Sequence, residues 1–223
     1  MVFISLFLFR RTSAALPQSI ALFSKYIPNQ MFELLQKNIT EKISLTAEEF
    51  NYCKSLFKAK KLKKRQYFLQ EGDVCKHQAF VVKGILRTYT VDEKGSEHIL
   101  QFASEGWWVA DLSSYLTGEP SVFNIEALED AELLLLSKSS WDELMQAIPK
   151  FEHYFRILIQ NHLIATQKRL LQSLTETAEE KYHKFTKSYP ECIQRVPQHM
   201  IASYIGVSRE TLSRLRKLRS IGK

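Results

Sequence analysis

Hydrophobic and polar positions along this chain change rhythm twice. From Phe32 to Phe57 apolar residues recur at helical spacing. FELLQKNI forms one short amphipathic run, and Phe50, Cys53, Leu56 and Phe57 share a face of a second. Thr46-Ala-Glu-Glu49 heads the second run as a capping box: the threonine hydroxyl bonds the N3 amide and the glutamate reaches back. KAKKLKKRQ (58–66) then reads as a basic surface link. From Tyr67 to Ser137 the period shortens to that of strands, in AFVVKG, ILRTYTV, EHILQFA and ELLLLS. Glycines stand at 72, 84, 95, 106 and 118, five of the seven in the chain, so a turn is signalled about every eleven residues. That spacing predicts a β-sandwich or β-roll rather than alternating βα units. Asp92 to Gly95 reads as a hairpin turn with Gly95 at positive φ.

After Pro149 the rhythm becomes helical again and stays so. FEHYFRILIQNHLIATQKRLLQSL runs to Leu174 without glycine or proline, a helix of about 36 Å. Its first half is apolar on more than one face, so it must be covered on several sides. One side is expected on the β-roll. The other is expected on the same helix of a second copy, with Tyr154, Leu158, His162 and Ala165 at that dimer interface. A second capping box, Thr177-Ala-Glu-Glu180, opens the C-terminal segment.

The last thirty residues have the spacing of a helix-turn-helix. Ile201, Ala202 and Ile205 fall on one face of a first helix, with Ala202 small enough for a close crossing. Gly206 suits the turn, Val207 is expected as a buried plug, and Ser208 starts a second helix whose inward face is Leu212 and Leu215. The positions between are polar or basic: Arg209, Glu210, Ser213, Arg214, Arg216 and Lys217. Such a face fits the DNA major groove. Charge agrees. The chain carries 31 Lys+Arg against 24 Asp+Glu, and most of the excess lies from Arg195 onward, where phosphate would be met.

Composition narrows the rest. A chain of 223 residues with 45% hydrophobic content has room for two modest domains with real cores. Cys53, Cys75 and Cys192 are scattered, with no metal spacing, and read as reduced structural thiols of a cytoplasmic protein. The six histidines form no evident metal pair. MVFISLFLF is too short to span a bilayer and lacks a preceding positive region, so no membrane association is expected. The shift to patterned helix at Met31 suggests that residues 1–30 are a non-native or disordered extension. No nucleophile elbow, phosphate loop or paired metal ligands suggest catalysis, so no enzyme is expected.

A roll with regularly spaced glycines, a long connecting helix and a helix-turn-helix together resemble the Crp-Fnr family of bacterial transcription regulators, over about residues 32 to 217. Ser208-Arg209-Glu210-Thr211-Leu212-Ser213-Arg214 is the most specific piece. The resemblance implies base contacts by Arg209, Glu210 and Arg214, in keeping with arginine's fit to guanine and glutamate's to the cytosine amine. It implies phosphate contacts by Ser208, Thr211 and Lys217, with Ser213 on the same face. It also implies a homodimer on palindromic double-stranded DNA, RNA polymerase as a further partner, and a small-molecule effector. The family's β-hairpin wing has too few residues after Lys217, so the wing is expected to be truncated or absent.

The sensory segment departs from the family's cyclic-nucleotide pattern. That pattern has Gly-Glu-Leu and, about nine residues later, Arg-Ser. Here the aligned residues are Ala110-Asp111-Leu112 and Ser121-Val122, and no Lys or Arg lies between Gly106 and Lys138. A buried phosphate would lack its counter-charge. Cyclic AMP is therefore not the expected effector, and no cofactor is identified. Gln167 and Lys168 of the long helix align with ligand-facing positions, and Lys168 would partly restore the missing cation. The expected architecture is α+β: a jelly-roll-like sensory domain with N-terminal helices (31–148), a dimerisation helix (149–175) and an all-α DNA-binding domain (176–223). The alternative is a ligand-sensing module that works through protein partners, with a degenerate DNA-binding domain.

Overall fold

The computed structural model describes residues 27–221 of the chain. Most of the expected N-terminal extension, residues 1–26, lies outside them. Helices α1 (Gln30–Thr40) and α2 (Ala47–Ser55) come first. Eight strands follow: β1 (Phe57–Leu62), β2 (Tyr67–Leu69), β3 (His77–Lys83), β4 (Leu86–Val91), β5 (Glu97–Ala103), β6 (Trp108–Val109), β7 (Asn124–Ala127) and β8 (Ala131–Ser137). The short α3 (Leu112–Thr117) sits between β6 and β7. After the strands come α4 (Lys138–Ala147), the long α5 (Lys150–Thr175), α6 (Ala178–Ser188), α7 (Cys192–Arg195), α8 (Gln198–Ile205) and α9 (Arg209–Ile221).

The strands form two four-stranded antiparallel sheets, β1-β8-β3-β6 and β2-β7-β4-β5. Their inner faces meet through Leu62, Val81 and Leu133 on one side and Leu69, Leu86 and Ile125 on the other. The run ELLLLS shows how the fold is assembled. Leu133 and Leu135 point into the roll, while Leu134 and Leu136 point outward into a second core. There Phe32, Leu35, Phe151, Tyr154 and Phe155, from α1 and the first turns of α5, cover the sheet. A strand buried on both faces reads as a continuous apolar run, which is what this sequence has.

The other sheet is covered too. Ile85, Tyr89, Ile99 and Phe102 share a third core with Tyr182, Phe185, Cys192, Val196, Ile201, Ala202, Ile205 and Leu212. The C-terminal helical domain is thus docked on the roll by an apolar cluster common to both.

Two expectations need correction. Phe57 does not continue α2 but opens β1, which pairs with β8 from Phe57↔Leu136 to Leu62↔Ala131. The basic link is therefore largely an edge strand. Only its two ends are buried, and its lysines are largely exposed, a usual protection of a sheet edge that masks the strand pattern. Helix α4, capped by the Ser137 hydroxyl on the Ser140 amide, had no counterpart in the sequence reading. Both capping boxes, at Thr46/Glu49 and Thr177/Glu180, are present as expected.

Candidate nucleic-acid interface

Helix α8 ends at Gly206, whose φ of 70° is the left-handed conformation glycine adopts without strain. The Val207 amide then bonds the Ala202 carbonyl at 3.0 Å, turning the chain back. Ser208 starts α9: its Oγ accepts from the Thr211 amide and donates to the Thr211 hydroxyl, both at 3.1 Å. Ile201, Ala202, Ile205 and Leu212 are buried, and Val207 and Leu215 are half-buried against them. The plug expected at Val207 is thus only partly enclosed. On the opposite side Arg209, Glu210, Ser213, Arg214 and Lys217 line one exposed surface of α9. The Glu210 carboxyl is held below the usual carboxylate range by the backbone amide at the helix start, by the Ser208 hydroxyl and by neighbouring Arg209. It is an ionised acceptor flanked by two arginines.

Docking of this domain on the roll is specific as well as apolar. Ser203 Oγ of α8 donates to the Glu97 carbonyl at 2.9 Å and accepts from the Ile99 amide at 3.0 Å. A side chain thus serves the exposed edge of β5. Arg195 takes both carboxylate oxygens of Glu105, at 2.9 and 2.7 Å, and also reaches Glu129. Ser104 Oγ donates to Glu191 at 3.2 Å. The Trp107 and Tyr189 rings lie 5.8 Å apart, and Phe102 and Tyr204 5.3 Å apart. Sequence reasoning missed all of these. The one available signal was β5 itself, whose Ile99 and Phe102 needed a cover that the roll's own strands do not provide.

At the expected ligand pocket, Asp111 and Ser121 do come together, but on each other. Ser121 Oγ donates to Asp111 Oδ2 at 2.7 Å, and Asp111 Oδ1 accepts the Ser114 amide at 3.2 Å, capping α3. Both residues are buried. The sequence therefore already supplies a carboxylate where the loop's amide and hydroxyl donors converge. Ala110 is half-buried, while Leu112 and Val122 are exposed, at 37% and 60%.

Residues 59–147 match the model of the cyclic nucleotide-binding domain family. The regulatory protein HlyX of Actinobacillus pleuropneumoniae is 25% identical over 190 residues, covering 77% of this chain and 76% of its own. The cyclic AMP receptor protein of Thermus thermophilus is 25% identical over 175 residues, covering 77% and 81%. The solved structure of FixK2 from Bradyrhizobium japonicum shares the fold, with a TM-score of 0.65 at 19% identity over 74% of this chain and 86% of that one. In sequence and in fold the chain is similar to regulators of the Crp-Fnr family.

Within one copy of the chain, Lys168 does not supplement the Asp111 pocket. It lines a separate cleft with Arg169 and Tyr204, and Gln167 is exposed. The expected dimer residues also divide. Tyr154 is fully buried inside its own chain, accepting from Trp108 Nε1 at 2.9 Å and donating to Asn38 Oδ1 at 2.7 Å, so it cannot meet a second copy. Leu158 packs partly on the same core, whereas His162 and Ala165 are exposed. The large apolar groups that α5 leaves exposed are Ile159, Leu163, Ile164, Leu170, Leu171 and Leu174. They repeat at close to heptad spacing. Sequence reasoning did not assign them to the interface, because an apolar helix does not say which of its faces a neighbour covers. No helix among the described residues is long and apolar enough to cross a membrane, and no cluster of metal-ligating side chains occurs among them.

Proposed function

We propose that this regulator binds a palindromic operator as a homodimer, reading bases through Arg209, Glu210 and Arg214. The observation that carries the reading is the split of α9 into a buried apolar edge and one exposed face holding those three residues with Ser213 and Lys217. Arginine donates bidentately to guanine O6 and N7, and an ionised glutamate accepts from the cytosine amine. Lys217 provides a phosphate contact from the same face, and Ser208 and Thr211 add contacts beside the helix cap. The exposed stripe from Ile159 to Leu174 supports pairing of two copies along α5. Two recognition helices would then meet half-sites about one DNA turn, roughly 34 Å, apart. RNA polymerase is the partner through which such a protein would act on transcription.

We further propose that cyclic AMP is not the effector. Asp111 places a carboxylate at the loop that would hold the phosphate, and Ser121 stands where the family pattern has arginine. A second anion there would meet like charge.

Selection of bound sequences from a random DNA pool, with and without cyclic AMP, tests both proposals. A two-fold symmetric motif that is unaffected by cyclic AMP is the expected result. Arg209→Ala and Arg214→Ala should each cost about 1–3 kcal/mol on the selected site, with less effect on random DNA. No enrichment in either condition, together with retained partner binding, would favour a sensor module over a DNA reader.

A further inference from the structure

The cleft holding Lys168 lies where the C-terminal half of α5 faces α6 and α8, next to β5. Its volume is about 520 Å³, within the range of small-molecule sites. Four cationic side chains line it, Lys168, Arg169, Lys181 and Lys184, and no carboxylate among the described residues does. Their commitments differ. Arg169 donates to the Leu100 carbonyl and lies over the Tyr204 ring at 4.9 Å. Lys184 pairs with Glu176, just outside the cleft. Lys181 Nζ donates to the Ser173 carbonyl at 2.9 Å, and it makes no ion pair among the described residues. Lys168 makes no ion pair among the described residues. Tyr189 and Tyr204, joined through their hydroxyls at 3.2 Å, line it with rings set nearly perpendicular to each other. Positive charge without an offsetting carboxylate, beside flat rings, is complementary to one kind of molecule.

We propose that this cleft is a binding site for a small aromatic anion, a planar ring bearing a phosphate or carboxylate. The anionic group meets Lys168 and Lys181, and the ring lies against Tyr189 and Tyr204. The site is separate from the Asp111 pocket of the roll. Its walls belong to different parts of the molecule: α5 on one side, the DNA-binding domain on the other. A ligand that needs both walls binds the docked arrangement better than any other, and so favours it.

Calorimetric titration of the full chain with four probes tests the site without reference to DNA. The probes are AMP and 1-naphthoate, each with ring and anion, adenosine with the ring alone, and ribose 5-phosphate with the anion alone. The two aromatic anions should bind, and each partial probe should be weaker by about tenfold or more. A preference for AMP over 1-naphthoate, or the reverse, assigns the anion as phosphate or carboxylate. Lys168→Ala and Lys181→Ala should each weaken binding about tenfold, with the fold checked by circular dichroism. Failure of both aromatic anions to bind overturns the proposal. So does affinity that is insensitive to both lysine variants.

Discussion

Arg195 and Glu105 hold each other through two parallel hydrogen bonds, at 2.9 and 2.7 Å, across the boundary between the helical domain and the roll. Glu105 also accepts the Gly84 amide at 2.8 Å, so the carboxylate that receives Arg195 is fixed by the roll's own backbone. The fork therefore sets orientation as well as proximity. Arg195→Ala should loosen docking without unfolding either part. The Ile99 amide, bonded to Ser203 across the same boundary, is a convenient reporter. Its hydrogen exchange should quicken about fivefold, the effect of roughly 1 kcal/mol expected for a partly exposed ion pair. Unchanged exchange at Ile99 would show that the apolar cluster alone fixes the domain.

The same pair gives docking an acid limit. Burial pushes the Glu105 carboxyl up, but hydrogen bonds from Arg195 and the Gly84 amide outweigh it and hold the group below its ordinary value of 4.5. A carboxylate depressed in the docked state contributes stability above its free value and loses it as pH falls through the depressed one. Ile99 exchange, corrected for its intrinsic pH dependence, should thus be constant from neutrality to about pH 5 and rise below pH 4.5. In Arg195→Ala this acid step should shrink.

Two glycines in the regular ladder separate sharply in what they demand. Gly84 and Gly72 both have positive φ, 93° and 88°. A Cβ on Gly84 would lie 2.8 Å from the Asp130 carbonyl and 2.9 Å from Ala131, which is backbone contact that cannot move aside cheaply. A Cβ on Gly72 meets nothing within 4 Å. Gly72→Ala should cost about 1 kcal/mol for its conformation alone, and Gly84→Ala about 3 kcal/mol or more. Thermal melts of the two variants measure the difference, and equal melting temperatures would refute the steric account.

Leu163→Asp and Leu170→Asp each place a charge in the exposed stripe of α5 without touching the roll's core. Light scattering should show the mass falling from two copies to one, while circular dichroism stays unchanged. Leu158→Asp is a poorer probe because Leu158 packs on the core of its own chain. An unaltered mass in both stripe variants would exclude α5 as the pairing face.

Local rules were legible in the sequence wherever a single element was sufficient to express them. Both capping boxes, the turn at Gly95 and the α8–Gly206–α9 geometry follow from residues within a few positions of one another. Misreadings occurred where coverage decided the outcome. Lys58, Lys60 and Lys61 looked like a link because an edge strand has only one partner and can carry polar residues on both faces. Tyr154 looked like an interface residue because an apolar helix face does not say which neighbour covers it. Asp111 and Ser121 were singled out as departures from the family pattern, and their bond to each other depends on a turn of chain between them that no spacing rule encodes. The docking contacts of Arg195 and Ser203 join positions 90 and 106 residues from their partners, beyond the reach of any local pattern.

The apolar cluster shared by β5 and the helical domain has one more property. Separating Phe102 and Ile99 from Phe185, Ile201 and Ile205 exposes them to water, which raises heat capacity as unfolding does. Attachment of this kind weakens on cooling as well as at high temperature. The docked arrangement should therefore have its own temperature of greatest strength, which Ile99 exchange measured from near freezing to the melting range would trace as a minimum in opening. Warming or cooling then shifts the position of α9 with no molecule bound.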